Sequence, residues 1–205
     1  MPNGVDPKLY GISGASRPRE LDHITTPIVG YTGSLHDDRL DTGLIEFLAR
    51  DNRFHQVFVG PDYLKPATRN RLAAHKNITL VPSQPYHRLP AFVCHFDVCS
   101  IPHSVNPFTN SLDPIKAYEY LAAGKPIVSV DVDGVRPFFE LVEIATGHED
   151  FLAKIIMTLE GRHKSDPASR RLFADRNSWR ARSAEIMFHI ERTLDEKNQT
   201  GSSSK

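Results

Sequence analysis

From residue 27 onward the chain alternates short apolar runs with amphipathic stretches, and this alternation constrains its fold more than any other feature. The runs at 27–33 (PIVGYTG), 55–60 (HQVFVG), 78–81 (ITLV), 97–101 (DVCSI) and 126–130 (PIVSV) have the length of strands buried on both faces. A short sixth strand is predicted at 142–145. The stretch 40–52 gathers Leu44, Ile45, Phe47 and Leu48 at helical spacing. Further helices are predicted at 68–75, 86–95, 114–124 and 148–159. A long helical segment follows at about 167–195, with Asp166 before Pro167 as its cap. Strands alternating with helices predict an α/β fold: a single Rossmann-like, doubly wound parallel sheet over residues 27–196. A chain of 205 residues is long enough for one such domain. Residues 1–26 read as an irregular lead-in with an Asn3-Gly4 turn, and 197–205 as a disordered polar tail.

Several classes of function are disfavoured at once. Lys plus Arg equals Asp plus Glu, 25 each, so no net field calls for nucleic acid. No apolar run reaches the roughly 20 residues of a membrane span, and no signal-peptide pattern opens the chain. The expected setting is cytoplasmic, at most peripheral to the inner membrane face, with no transmembrane segment. Cys94 and Cys99 are not in a CxxC unit and read as small buried hydrophobes in a reducing compartment. None of the ten histidines forms HExxH or pairs with Cys at zinc spacing, so no metal site is predicted. His36 and His103 stand out only because both fall at strand carboxyl ends, where sheets of this type bind ligands. No GxSxG occurs.

Two segments carry the candidate chemistry. Gly33-Ser-Leu-His-Asp-Asp-Arg39 joins the first strand to the first helix. Its glycine permits a tight turn and a close approach of phosphate to backbone amides. The order Gly30-Tyr-Thr-Gly33 lacks the GxGxxG of a dinucleotide dehydrogenase. The helix around Pro114–Lys125 places Lys116 and Glu119 three apart on one face near its N-terminal end. An ammonium at a helix N-terminus suits a diphosphate, and a carboxylate one turn on suits ribose hydroxyls. Spacing alone fits an ordinary surface ion pair as well.

The run KAYEYLAAGKPIVS, beginning at Lys116, resembles the donor-site signature of GT-B-fold glycosyltransferases. It is most similar to the bacterial group that builds capsular, teichuronic-acid-like and xanthan-like polysaccharides. PNGVD at 2–6, GYTGSL at 30–35, FVGP at 58–61, the YHRLPAF…FDVCSIP stretch of 86–102 and NSWRARSAEI at 177–186 match in the same order. The resemblance implies the C-terminal, donor-binding half of a GT-B fold and a UDP- or GDP-sugar as donor, with no cofactor or essential metal. It also implies a glycan or lipid-linked acceptor. By position, Glu119 matches the family's ribose-binding glutamate and Lys116 its diphosphate-facing lysine. The Gly33 loop, with Ser34 and Arg39, matches the phosphate loop, and the backbone around Val81, Pro82 and Ser83 would read the base.

The pattern also departs from the family's. A second glutamate is usual eight residues before the ribose one, and here Ser111 stands there, with Asp113 the nearest acid and also a candidate helix N-cap. Ser34 replaces a common Arg after the loop glycine. Because PNGVD normally lies between two domains, the resemblance further implies a partner: an N-terminal acceptor-binding domain or subunit not contained in this chain. Without it, Trp179, Ile186 and Phe188 on the last helix are expected to be partly exposed, and the chain to be inactive alone. Two other readings stay open. One is a non-catalytic nucleotide-binding or protein-interaction subunit; the other is a half of a sugar-nucleotide epimerase.

Overall fold

The computed structural model describes residues 2–11 and 14–202. Six strands, β1 (Ile28–Thr32), β2 (His55–Val59), β3 (Ile78–Val81), β4 (Val98–Ile101), β5 (Ile127–Val130) and β6 (Glu143–Ala145), form one sheet. Their order is β3-β2-β1-β4-β5-β6 and every pairing is parallel. The doubly wound Rossmann-like fold read from the sequence is the one observed. Every residue of β1 and β2 is buried, the polar Thr32, His55 and Gln56 included, as expected of central strands covered on both faces.

The helices are α1 (Pro7–Tyr10), α2 (Thr42–Leu48), α3 (Pro66–Ala73), α4 (Leu89–Cys94), α5 (Pro107–Asn110), α6 (Ile115–Ala122), α7 (His148–Leu159), α8 (Pro167–Arg176) and α9 (Trp179–Ser202). One face of the sheet is packed by α4, α6, α8 and the N-terminal segment, the other by α2, α3 and α7. Both cysteines lie on the first side, in α4 and β4, and form no disulfide. Gly30 is the point of closest contact there. A Cβ on it would sit 2.1 Å from the Phe96 ring, so the ring packs directly on the β1 backbone.

Three expectations are corrected. Residues 1–26 are not simply an irregular lead-in: they form α1 and a 3-10 turn at Arg19–Leu21. Val5, Tyr10, Leu21 and Ile24 are buried in the main core. The segment 167–195 is not one helix but two. Val5 and Trp179 bridge the chain ends there, Val5 N–H donating to Asn177 O (3.3 Å) and Trp179 N–H to Val5 O (3.0 Å). Those bonds take the backbone out of helical geometry at Asn177–Ser178. The polar stretch from 197 is helical through Ser202, because no proline interrupts the backbone ladder; residues 203–205 lie outside the described ones. Trp179, Ile186 and Phe188 are 42%, 40% and 60% exposed.

The sheet opens where the strand order reverses. β1 pairs with β4 only at Val29↔Val98 and Gly30↔Cys99, although β1 runs on to Thr32. Beyond that point the Tyr120 hydroxyl, reaching in from α6, accepts from Thr32 N–H (2.7 Å) and Thr32 Oγ1–H (3.1 Å). This bond satisfies a buried donor and fixes α6 against the carboxyl end of β1. Tyr120→Phe leaves the Thr32 N–H without its partner and is expected to cost about 1–3 kcal/mol in chemical denaturation. An unchanged unfolding midpoint would show that the sheet closes over the gap.

Candidate functional site

At the switch point between β1 and β4, ligands of doubly wound sheets bind outside the strand carboxyl ends. α6 begins at this crevice. Its fold is local: Pro114 precedes the first turn, and Gly124 (φ 73°) ends it. Gly124 N–H donates to Leu121 O and Lys125 N–H to Tyr120 O, both 2.9 Å, the paired bonds of a left-handed glycine stop.

Both charged residues of α6 are buried, Lys116 to 7% and Glu119 to 5% exposure, so the surface-pair reading is wrong. Neither is paired with the other: among the described residues no carboxylate forms an ion pair with Lys116 or Arg39. The Lys116 stem lies against the turn after β1. A Cβ on Gly33 would meet Lys116 Cε at 3.1 Å, Tyr31 Oη at 3.1 Å and Lys116 Nζ at 3.4 Å. The ammonium stands 5.1 Å from the centre of the Tyr31 ring. Burial, with the Arg39 charge behind it, lowers the Lys116 pKa to about 8, and Glu119 only partly opposes this.

His103 packs edge-on to Tyr31 (6.0 Å, 71°) and is 1% exposed. Its Nε2 is buried without a hydrogen bond, and so is Arg39 Nε. Burial first, then Lys116 and Arg39, holds the His103 pKa near 2, so its ring is neutral. Lys116 lies beside Gly33, and Arg39 and His103, each with a buried nitrogen that lacks a partner, act on it electrostatically, an arrangement suited to an anion. His103 reaches the cluster because Leu40 and His103 pair across the β1 and β4 loops.

Glu119 faces the other way, toward Tyr10 of α1 and Tyr86 of the 3-10 turn Tyr86–Arg88. Burial pushes its carboxyl up; the two phenols and then Lys116 pull it down. The sequence reading missed Tyr10, Tyr31 and Tyr120. Tyr31 and Tyr120 carry a signal, since each sits in an element expected to pack on the core, where a buried phenol demands a partner; Tyr10, in the stretch DPKLYG, carries none.

The remaining candidates are dispersed. Ser34 O accepts from Tyr31 Oη (3.2 Å). Ser34 and Arg39 also line an open cleft of about 890 Å³, shared with His36, Tyr63, Asn106 and Phe108. His36 is exposed in this loop, its Nδ1 accepting from Asp38 N–H (3.1 Å), and it is outside the basic cluster. Val81 and Pro82 line a separate cavity of about 130 Å³ with Asp62 and Arg69. The Val81 carbonyl accepts from Gly60 N–H (3.1 Å), and Pro82 O from Gln84 Nε2 (3.0 Å). Asp113 does not cap α6, whose N-cap Pro114 has no side-chain bond. Asn3 occupies it instead, its N–H donating to Asp113 Oδ2 and its Nδ2 to Asp113 O (2.8 Å). Among the described residues no three His, Cys, Asp or Glu side chains gather as a metal site, and no helix is long and apolar enough to cross a membrane.

The family described as "Glycosyl transferases group 1" matches residues 26–160. A Bacillus subtilis (strain 168) protein named as a teichuronic acid biosynthesis glycosyltransferase, TuaH, is 26% identical over 154 residues, covering 69% of this chain and 37% of that protein. The sucrose-phosphate synthase of Thermosynechococcus elongatus superposes with a TM-score of 0.75 at 20% identity, over 96% of this chain and 52% of that one. Anabaena Alr3699/HepE, solved with UDP, superposes with a TM-score of 0.70 at 16% identity, over 94% and 56%. The chain therefore spans about half the length of these structures, or less of the curated relative, and shares the fold of the C-terminal-type half of GT-B enzymes. The matched residues include β1, the Gly33 turn, His103 and all of α6, so the buried basic cluster lies within the family's own segment: the chain belongs to the group 1 glycosyl transferases.

Proposed function

We propose that this chain binds the nucleoside diphosphate of a UDP- or GDP-sugar, for transfer of the sugar to a glycan or lipid-linked acceptor in polysaccharide synthesis. The observation that carries this is the buried Lys116 ammonium beside Gly33, with no carboxylate paired to it and with Arg39 and His103 close enough to act on it electrostatically. A diphosphate placed there gains charge-assisted bonds at the crevice where β1 and β4 part, and the cations stabilise it as the leaving group. The site's own cations perform this task, so no cofactor or essential metal is assigned. Glu119 accepts from the ribose hydroxyls. The acceptor site belongs to a second, N-terminal domain or subunit, with the exposed side of α9 turned toward it, and transfer requires both. HepE, of the same fold, has been solved with UDP and with UDP-glucose, which makes uridine nucleotides the first probes. The cytoplasmic side of the membrane is the expected place of action.

Calorimetric titration with UDP, GDP and inorganic pyrophosphate tests the assignment. Glu119→Ala is expected to weaken the nucleoside diphosphate about tenfold or more, as loss of hydrogen bonds to a charged group does, and to leave pyrophosphate unaffected. Asp113→Ala, which touches only the Asn3 contact, is expected to have the smaller effect. The reverse order would overturn the assignment of the acids.

A further inference from the structure

Tyr10 is the most deeply buried residue of the N-terminal segment that carries an unsatisfied polar atom. It is 1% exposed, and its Oη makes no hydrogen bond of ordinary geometry. A hydroxyl is costly to bury in this condition, so a partner within reach of a small rotation matters. The surroundings supply one. α1 packs against α6 and α4. The Tyr10 ring stands edge-on to Tyr86 (6.2 Å, 67°), and both phenols act on the Glu119 carboxylate.

α1 is not free to drift. Asp6 caps it, its Oδ1 accepting from Lys8 N–H (3.1 Å). Val5 is bridged to Ser178, and Asn3 is bonded to Asp113 just before α6. The chain leading into Tyr10 is thus pinned to the elements that carry the site, and the phenol is delivered from more than a hundred residues away in sequence.

We infer that Tyr10 is a positioning residue: it donates its hydroxyl proton to one oxygen of Glu119 and thereby holds the carboxylate to receive the ribose hydroxyls on the other. The N-terminal segment is then a part of the nucleotide site. This rests on the reading of Glu119 given above. The groups that face Glu119 are Tyr10 from α1, Tyr86 from the turn before α4, and Lys116 from its own helix. Burial first, then the Glu119 charge and least of all Asp6, push the Tyr86 hydroxyl up to about 12. Of the two phenols, Tyr86 is 49% exposed and competes with water for its bond, whereas Tyr10 does not.

A hydrogen bond from Tyr10 favours the ionised carboxylate, so its loss raises the pKa of Glu119. Nucleotide affinity then falls away at a higher pH as the solution is acidified. The test is calorimetry with UDP and GDP across the acid range, on the wild type, Tyr10→Phe and Glu119→Ala, with thermal melts to confirm folding. Tyr10→Phe is expected to weaken binding roughly tenfold near neutral pH and to move the acid midpoint up by about one pH unit. A side-chain carbon NMR titration of Glu119 gives the same shift without nucleotide, and reads it even if the variant binds too weakly to measure. If Glu119→Ala matters but the Tyr10→Phe midpoint matches the wild type, the positioning role is overturned and the ribose reading stands. If Glu119→Ala changes nothing, the ribose reading fails and this inference goes with it.

Discussion

Lys116→Met is expected to yield a protein that melts higher than the wild type and has lost most of its affinity for a nucleoside diphosphate. The two effects have one source. Burial lowers the Lys116 pKa from 10.5 to about 8, which corresponds to a folding penalty of roughly 3 kcal/mol at neutral pH. The sign follows from proton counting. Below about pH 8 both folded and unfolded states carry the charge, and the penalty is complete. Between about 8 and 10.5 the unfolded chain holds more protons than the folded one, so stability climbs with pH through that window. Methionine keeps the stem that packs on Gly33 and Tyr31 and removes the charge, and buried charges replaced by apolar groups are often neutral or stabilising. For a chain of this size the gain corresponds to a rise in Tm of about 5–10 °C. Meanwhile the anion loses its central cation, and UDP affinity is expected to fall a hundredfold or more. A variant that melts lower than the wild type while keeping UDP affinity would contradict both the energetics and the assignment. In the wild type, UDP affinity should decline above about pH 8, where the free site loses its proton.

This trade-off explains why spacing could not decide the role of the α6 pair. Three residues of separation put Lys116 and Glu119 on one face of a helix, and that much is legible from periodicity. Whether the face meets water or a sheet depends on Tyr120 reaching Thr32 across 88 positions, and on Phe96 fitting over Gly30. The β-α alternation, the strand limits and the Gly124 stop are local properties, and the structure reproduces them. Two misses are local: the capped turn of α5, and the 3-10 start of the segment read as one helix over 86–95. The rest are long-range. Asp113 before Pro114 has the look of a cap, yet Asn3, 110 residues away, holds it. Residues 167–195 have continuous helical character, yet Val5 splits them at Asn177–Ser178. Tyr10 looked like part of an irregular lead-in because no local pattern shows that its side chain ends beside Glu119. His103 was marked for its strand end, but its unsatisfied Nε2 and its place beside Lys116 depend on the pairing with Leu40.

The turn after β1 offers a test of the crevice that changes no charge. Gly60 ends β2, and its Cα lies against the neighbouring loop. A Cβ there would sit 2.1 Å from Gly33 O and 2.7 Å from Gly33 C, backbone atoms that no side-chain rotation can move aside. The two glycines are also locked by flanking bonds, Gly33 N–H to Val59 O (2.9 Å), Gly60 N–H to Val81 O (3.1 Å) and Leu35 N–H to Pro61 O (2.9 Å). Gly60→Ala must therefore displace the Gly33 turn as a unit, at a cost of about 3 kcal/mol by analogy with overpacked cores. That turn rests on the Lys116 stem, so the displacement reaches the basic cluster, and UDP binding is expected to be lost with the stability. Gly147→Ala is the control: a Cβ there meets nothing within 4 Å, and stability and binding should both stay close to wild type. Should Gly60→Ala melt early yet titrate with UDP as the wild type does, the Gly33 turn would have no part in holding the diphosphate, and Lys116, Arg39 and His103 would have to hold it alone.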